Sequence, residues 1–389
     1  MSCCKAAAVL GDQMLLSLVK SRTICRRLPA AAPGLSRGQH TAAQLSPGGS
    51  ETADKPRLKA IDLARKIRQE KAKPRSESRT QETDPPVSGS QQRVAELKRF
   101  TAQLQHVHPN VLAKHLHRTA LYRDEDVVVL NKPYGVPVRE SGVTSVASVL
   151  PVLCKMLDGL KTKTDTKLLP SLGLEKDSSG ALLLARSEAV LEHILSLSRN
   201  NQVERKYWVI TVGVPVPSEG VIDIPIIERE VTGPTPHFKM TLSPLFRMNE
   251  AGDGVSKVRS HRQAHAAATK YRVLDSGYGC SLVELQPLTA VKHQMRVHMA
   301  YALACPILGD HKYSHWNKLA PQKLPERVLK KLGMEQSKSR YLPLHLHARR
   351  LELPGRSQSD VAVSCPMPKY FIKTLNRLQL MFPEDKNDG

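Results

Sequence analysis

The chain has 389 residues, 40 % of them hydrophobic and 24 % charged, with 58 Lys and Arg against 36 Asp and Glu, a formal charge of +22. The apolar share suffices for a sizeable core and excludes a wholly disordered chain. No stretch reaches the roughly 18 apolar residues of a membrane-spanning helix, so no membrane insertion is expected. The excess of cations instead points to a polyanionic partner, because Lys and Arg that neutralise phosphates release condensed counterions.

In chain order, residues 1–40 carry Lys5, Lys20, Arg22, Arg26, Arg27 and Arg37 against the single acid Asp12. Leu10, Met14, Leu15 and Leu18 can share one helical face. A basic, acid-poor, amphipathic start has the marks of a mitochondrial transit peptide and implies the mitochondrial matrix. Residues 41–118 read as a basic, partly disordered extension. It would hold a short helix around Leu58, Ile61, Ala64 and Ile67, then a Pro- and Ser-rich linker. A second periodic run through Val94, Leu97, Thr101 and Leu104 follows, closed by Pro109.

Residues 119–383 have the patterning of a folded domain. Val127 to Leu130 predicts a buried strand that ends in the turn Asn131-Lys132-Pro133-Tyr134-Gly135, and Ala181 to Leu184 predicts another. Ser187 can cap a helix whose inward face is Val190, Leu191, Ile194, Leu195 and Leu197. Trp208 to Val212, Thr269 to Leu274 and Ser281 to Leu288 read as strands. Glu228 to His265 reads as a long basic loop, and Tyr370 to Phe382 as an amphipathic helix. Strands in pairs beside isolated helices argue an α+β domain rather than a regular βαβ sheet. The cysteines (3, 4, 25, 154, 280, 305 and 365) form no C-x-x-C pair, which excludes a zinc knuckle and a disulfide framework.

Three segments carry residues suited to chemistry: Leu172-Gly-Leu-Glu-Lys-Asp-Ser-Ser-Gly180, Val203-Glu-Arg-Lys-Tyr-Trp208, and Pro287-Leu-Thr-Ala-Val-Lys-His-Gln-Met-Arg-Val-His298. No phosphate-loop pattern is present, so a nucleotide cofactor has no support. In order and spacing the three segments resemble the signatures of the RluA-type pseudouridine synthases. Asn131-Lys132-Pro133-x-Gly135, Pro306-Ile-Leu-Gly-Asp310 with Tyr313, and Leu344-His-Leu-His-Ala348 add weaker matches. The resemblance covers about Leu121 to Phe382.

It implies the pseudouridine synthase fold, a mixed and largely antiparallel sheet with flanking helices and a central RNA-binding cleft. It also implies isomerisation of uridine to pseudouridine in RNA without a cofactor. Within this family pattern Glu175 stands at the catalytic carboxylate position, where an Asp is usual and acts as nucleophile or base. Arg296 stands as its cationic partner, and Tyr207 as the ring against the base that helps remove the C5 proton. RNA contacts are expected from Lys132, Lys176, Arg205, Lys292 and His293. The departures, Leu172-Gly173 for His-Arg, Glu175 for Asp and Ala290-Val291-Lys292 for Gly-Arg-Thr, resemble the mitochondrial branch of RNA pseudouridylate synthase domain-containing protein 3. That branch implies mitochondrial mRNA and large-subunit rRNA as partners, with other mitochondrial RNA-processing or ribosome-assembly proteins beside them.

Two readings compete on these residues. Tyr207, Arg296 and the His-Gln-x-Arg-Val-His run favour an enzyme, whereas Glu175, Gly173 and Val291 favour an RNA-binding assembly factor that kept the fold. Asp177 is the alternative acid on the same turn. His345-x-His347 and His311-x-x-x-His315 have metal-like spacing without an acid or Cys set to complete a site, so no metal is expected. Tyr313 and Trp316, beside Lys312, offer rings for stacking on bases or for the core.

Overall fold

A computed structural model describes residues 88–383, apart from 140–141, 160–166, 232–235, 244–245, 249–254, 258–260 and 357–359. The expected transit peptide and the helix and linker of residues 41–87 lie outside the described residues.

Two helices lead in. Helix α1 (Gly89–Ala102) opens on a Ser88–Gln91 capping box, and α2 (Pro109–Arg118) carries Pro at its first position, where a missing N–H costs nothing. Both are part of the folded body, because Leu97 of α1 and Leu112 and Leu116 of α2 are fully buried.

Strands β1 (Ala120–Arg123) and β2 (Val127–Lys132) pair antiparallel, and α3 (Val146–Asp158) follows. Next come β3 (Leu169–Pro170), β4 (Ser179–Ala185) and α4 (Glu188–Arg199), the last capped by the Ser187 hydroxyl as its sequence predicts. Strands β5 (Glu204–Val212) and β6 (Glu219–Asp223) precede two hairpins, β7 (Ile226–Val231) with β8 (His237–Leu242) and β9 (Phe246–Met248) with β10 (Val255–Lys257). The basic stretch from Glu228 to His265 is therefore not one long loop; Glu228, Arg229 and Glu230 lie side by side, exposed, on β7.

The long strands β11 (Ala268–Gly277) and β12 (Cys280–Pro287) lead to the short helix α5 (Gln294–Val297), which widens into a π turn over His298–Ala302. Helix α6 (Glu326–Leu332), β13 (Leu346–Leu353), β14 (Val361–Ser364) and α7 (Lys369–Leu378) complete the chain. Helix α7 stops at Leu378 rather than Phe382, because Gln379 turns left-handed and its N–H caps the helix.

The main sheet runs β1-β2-β4-β13-β5-β12-β11-β6, with β3 on β4 and β14 on β13. Every described pairing in it is antiparallel except β4 with β13. This is the α+β class the patterning implies and the mixed, mainly antiparallel sheet the resemblance implies. At the parallel junction Gly180 adopts φ +116°, and a Cβ there would fall 2.3 Å from the Ala348 carbonyl oxygen. Only glycine permits that approach.

Alternation along β5 divides the core. Trp208 and Ile210 face α7, packing with Phe371, Leu375 and Leu378, while Tyr207 and Val209 face the opposite side with Leu285, Ile307 and Leu344. That opposite side is where the chemical residues collect. His347 spans strands beneath it: its Nε2 donates to the Cys365 carbonyl (3.2 Å), which leaves Nδ1 to accept from the Ser179 hydroxyl (3.0 Å).

Candidate active site

Glu175 opens a tight turn. Its carbonyl accepts the Ser178 N–H (3.2 Å) and the Ser178 hydroxyl (2.8 Å), which places Lys176 and Asp177 at the tip. The turn is tied to the end of β2 through the Lys176 carbonyl, which accepts the Gly135 N–H (2.9 Å) and Lys132 Nζ (3.1 Å). Lys132 also donates to the carbonyls of Pro133 (3.0 Å) and Val136 (2.9 Å). It is fully buried, so the expected RNA contact from Lys132 is corrected: its three donors are directed at three carbonyls inside the protein. Burial pushes its pKa down to about 7, against the pull of Asp177 and Glu175.

The carboxylate of Glu175 meets Arg296 of α5, Nη1 to Oε2 at 2.7 Å. The other side of the guanidinium is forked onto Asp310, with Nε to Oδ2 and Nη2 to Oδ1 both at 2.8 Å. Asp310 is fully buried and also accepts the N–H groups of Lys312 (3.0 Å) and Tyr313 (2.9 Å). Burial opposes both charges of this pair. Mutual attraction and hydrogen bonding outweigh it, so Asp310 is held below the usual carboxylate range and Arg296 above a free guanidinium. All three nitrogens of Arg296 are thereby directed, and the one aimed outward addresses Glu175, whose side chain keeps 24 % of its exposure. Asp177 contributes its negative charge beside Lys132 and Tyr134 instead.

His293 precedes α5 in a left-handed conformation (φ 57°), which swings its ring towards Glu175 with Nε2 3.8 Å from Oε2. That separation is too long for a hydrogen bond. Burial first, then the neighbouring Arg296, Lys312 and Lys292, push its pKa down to about 3, so the ring is neutral and the contact is not an ion pair. Its Nδ1 bonds the Tyr313 hydroxyl. We assign the proton to Nε2, since a lone pair facing the carboxylate would be repelled.

Beneath α5, Gln294 accepts the Thr289 hydroxyl (2.7 Å) and the Val291 N–H (3.1 Å), and it donates to the Ala268 carbonyl (2.8 Å) and Thr269 Oγ1 (2.9 Å). His298 Nε2 donates to the Ile224 carbonyl (3.0 Å), so its Nδ1 accepts from Thr269 (2.9 Å). These buried bonds fix the helix that carries Arg296.

Tyr207 is 3 % exposed and packs in a cluster that includes Leu174 and Met295, the chain neighbours of Glu175 and Arg296. Arg205 reaches its hydroxyl at 3.5 Å. Lys176 and Lys292 are exposed, the latter paired with Glu228 (2.9 Å). The fold thus gathers Glu175, Arg296 and His293, with Asp310 behind them. Asp310 had been visible only as part of a weak family match; its role in orienting Arg296 has no local signal, because the pairing crosses a turn and a left-handed corner.

Residues 126–301 match the model of the family described as RNA pseudouridylate synthase. The chain is 58 % identical over 328 residues to "Pseudouridylate synthase RPUSD4, mitochondrial" of Danio rerio, covering 84 % of this chain and 90 % of that one. It is similar to a solved structure of human RNA pseudouridylate synthase domain containing 4 (TM-score 0.64, 48 % identity), covering 71 % of this chain and 98 % of that one. The "Mitochondrial mRNA pseudouridine synthase RPUSD3" of Homo sapiens is only 33 % identical over 290 residues, covering 68 % of this chain and 77 % of that one. The branch expected from the motif departures is therefore overturned: a few positions around Glu175 pointed to the third member, whereas identity over 84 % of the chain points to the fourth. The identity and coverage shared with these relatives place the chain in the RNA pseudouridylate synthase family.

Proposed function

We propose that the protein isomerises uridine to pseudouridine in mitochondrial RNA, with Glu175 as the working carboxylate. The supporting observation is the Glu175–Arg296–Asp310 arrangement, in which the acid one methylene longer than the family's Asp still meets its arginine at 2.7 Å. Reach is what distinguishes the two side chains, and in this site Glu175 meets the arginine.

In the reaction the N1 to C1′ bond of uridine breaks, the base turns, and C5 joins C1′; the C5 proton leaves and N1 gains one. A stacked base cannot turn, so the nucleotide leaves the stack for the pocket at a cost of a few kcal/mol. Glu175 presents its anion to the ribose carbon as the glycosidic bond breaks, held by Arg296. Tyr207 lies against the base and assists loss of the C5 proton. Lys176, Arg205 and Lys292 hold phosphates, and neutral His293 offers Nε2–H beside the carboxylate. No cofactor takes part.

The proposed location is the mitochondrial matrix, supported by the basic, acid-poor start and by relatives named mitochondrial. Mitochondrial mRNA and large-subunit rRNA are the proposed substrates, in support of translation and ribosome assembly alongside RNA-processing and assembly proteins. A second reading, an RNA-binding assembly factor without turnover, is favoured by Gly173, where relatives of this type use an arginine to hold the RNA open. Mapping pseudouridine in mitochondrial RNA from cells with and without the protein tests the proposal. Sites that vanish with the protein support it, and an unchanged map with impaired ribosome assembly supports the second reading.

A further inference from the structure

Trp316 and Tyr313 were equal candidates for base stacking in the sequence, and the structure separates them. Tyr313 is 1 % exposed and belongs to the core, whereas Trp316 is 56 % exposed. Trp316 stands at the wall of a pocket of about 320 Å³, formed with Arg229 and Glu230 of β7, Thr241 of β8 and Tyr301 of the π turn. That volume lies at the low end of small-molecule sites.

Three features show a prepared pocket. Lys239 is 2 % exposed, and its Nζ donates to the carbonyls of His315 (2.9 Å) and Lys318 (2.8 Å), clamping the loop that presents Trp316. Tyr301 meets the Trp316 ring edge to face at 4.7 Å and donates its hydroxyl to the His315 carbonyl (3.1 Å), so the indole is held. The Thr241 hydroxyl is buried and meets no hydrogen-bond partner among the described residues. An unpartnered buried polar atom is destabilising, and Thr241 is one of the residues lining the pocket.

The pocket is connected to the catalytic group. Tyr301 packs on Tyr313 (6.0 Å), Tyr313 on His293 (5.5 Å), and the Arg296 guanidinium lies 5.0 Å from the Tyr313 ring. We propose that this pocket is a second nucleotide site, taking an unpaired nucleotide of the RNA that flanks the target uridine, its base stacked on Trp316 and its phosphate paired with Arg229. The proposal rests on RNA as the substrate and names a subsite for it. Glu230 disfavours a free polyphosphate and can accept an N–H or hydroxyl of the base or ribose. A stacked base is held with little regard to its identity, so the site fixes the distance between the flanking nucleotide and the flipped uridine rather than the sequence.

The test uses the chain's two tryptophans. Trp208 is 4 % exposed, so fluorescence quenching by an added nucleobase reports Trp316. Full-length protein is titrated with a single-stranded oligouridylate. Quenching on binding is expected. Trp316→Ala should weaken binding about 5- to 150-fold, the equivalent of the about 1–3 kcal/mol that stacking one base contributes. Trp316→Phe should restore most of that affinity, and Arg229→Gln should lower the salt slope by about 0.7. Glu175→Gln should keep the quenching while losing isomerisation, which separates the pocket from the catalytic reading. No quenching, or equal affinity in Trp316→Ala and Arg229→Gln, would overturn the site. So would loss of a protein partner in Trp316→Ala with RNA affinity intact, since the face would then dock protein. If the native protein binds and quenches but forms no pseudouridine, the isomerase reading fails and the nucleotide pocket stands.

Discussion

Arg296 is held by Asp310 through two bonds of 2.8 Å, and this fork leaves Nη1 as the nitrogen that meets Glu175. The geometry makes Asp310 a positioning residue: it fixes the cation that in turn orients the Glu175 carboxylate. A single-partner Arg would rotate about its side-chain torsions, and misplacement of about 1 Å can cost on the order of a hundredfold in rate.

Asp310→Asn should therefore lower kcat about a hundredfold while RNA affinity changes little. It should also lower the unfolding free energy by about 3–5 kcal/mol, the usual cost of removing one partner from a buried pair. The pH dependence gives the sign. Asp310 titrates lower in the folded state than unfolded, so its stabilisation is complete above the unfolded value of about 3.9 and is lost as pH falls through the lower folded value. Urea unfolding of the native protein and the variant should differ most near neutral pH and converge below about pH 3.9.

Lys132 and the exposed lysines should separate cleanly. Lys132→Met removes a donor from three carbonyls, that of Val136 buried, so it should reduce thermal stability and turnover with the salt slope of RNA binding unchanged. Lys176→Ala and Lys292→Ala should each reduce that slope by about 0.7 if each neutralises one phosphate of a single strand. Affinity measured from low to high salt checks all three.

Gly173 is exposed, and a Cβ there meets nothing within 4 Å. Gly173→Arg should thus fold as the native protein does. By the resemblance, an arginine here helps hold RNA open where the base has left, so turnover should rise on a stem-loop substrate and little on an unpaired one. Parallel assays on the two RNAs give the comparison.

Acid should destabilise the fold through its buried histidines. His345 and His347 are fully buried, and burial pushes both pKa values down to about 4, against about 6.5 unfolded. Between those values the unfolded chain binds protons that the folded chain does not, so stability rises with pH across that window and is lost as pH falls. Going from pH 7 to pH 5 should remove on the order of 2 kcal/mol per histidine, and His347→Asn, though less stable at pH 7, should show a shallower slope. Urea unfolding at the two pH values measures this.

What the sequence disclosed depended on how local the signal was. The β2 and β4 runs and the Ser187 cap were legible because burial and capping act within a few residues. The Glu175 and Arg296 pairing, 121 positions apart, was legible only through the family pattern. Lys132 was misread as a phosphate contact because nothing near it shows that the turn after β2 folds under the Glu175 turn and buries the amine. The β7–β8 hairpin was hidden by its charges: Glu228, Arg229 and Glu230 look like loop composition, yet they lie on a strand whose one fully buried residue is Ile226, at its start. Trp316 could not be told from Tyr313, since exposure depends on the Lys239 clamp from a distant strand.

The central claim is that Glu175 performs the isomerisation, and single-turnover conversion of a bound mitochondrial RNA by native protein and by Glu175→Gln tests it most directly. The amide keeps the shape and removes the charge. Native protein should form pseudouridine, and the variant should bind the RNA within about threefold of native affinity, less than 1 kcal/mol, and form none. Conversion by the variant at the native rate, or none by native protein on RNA it binds in cells, would contradict it.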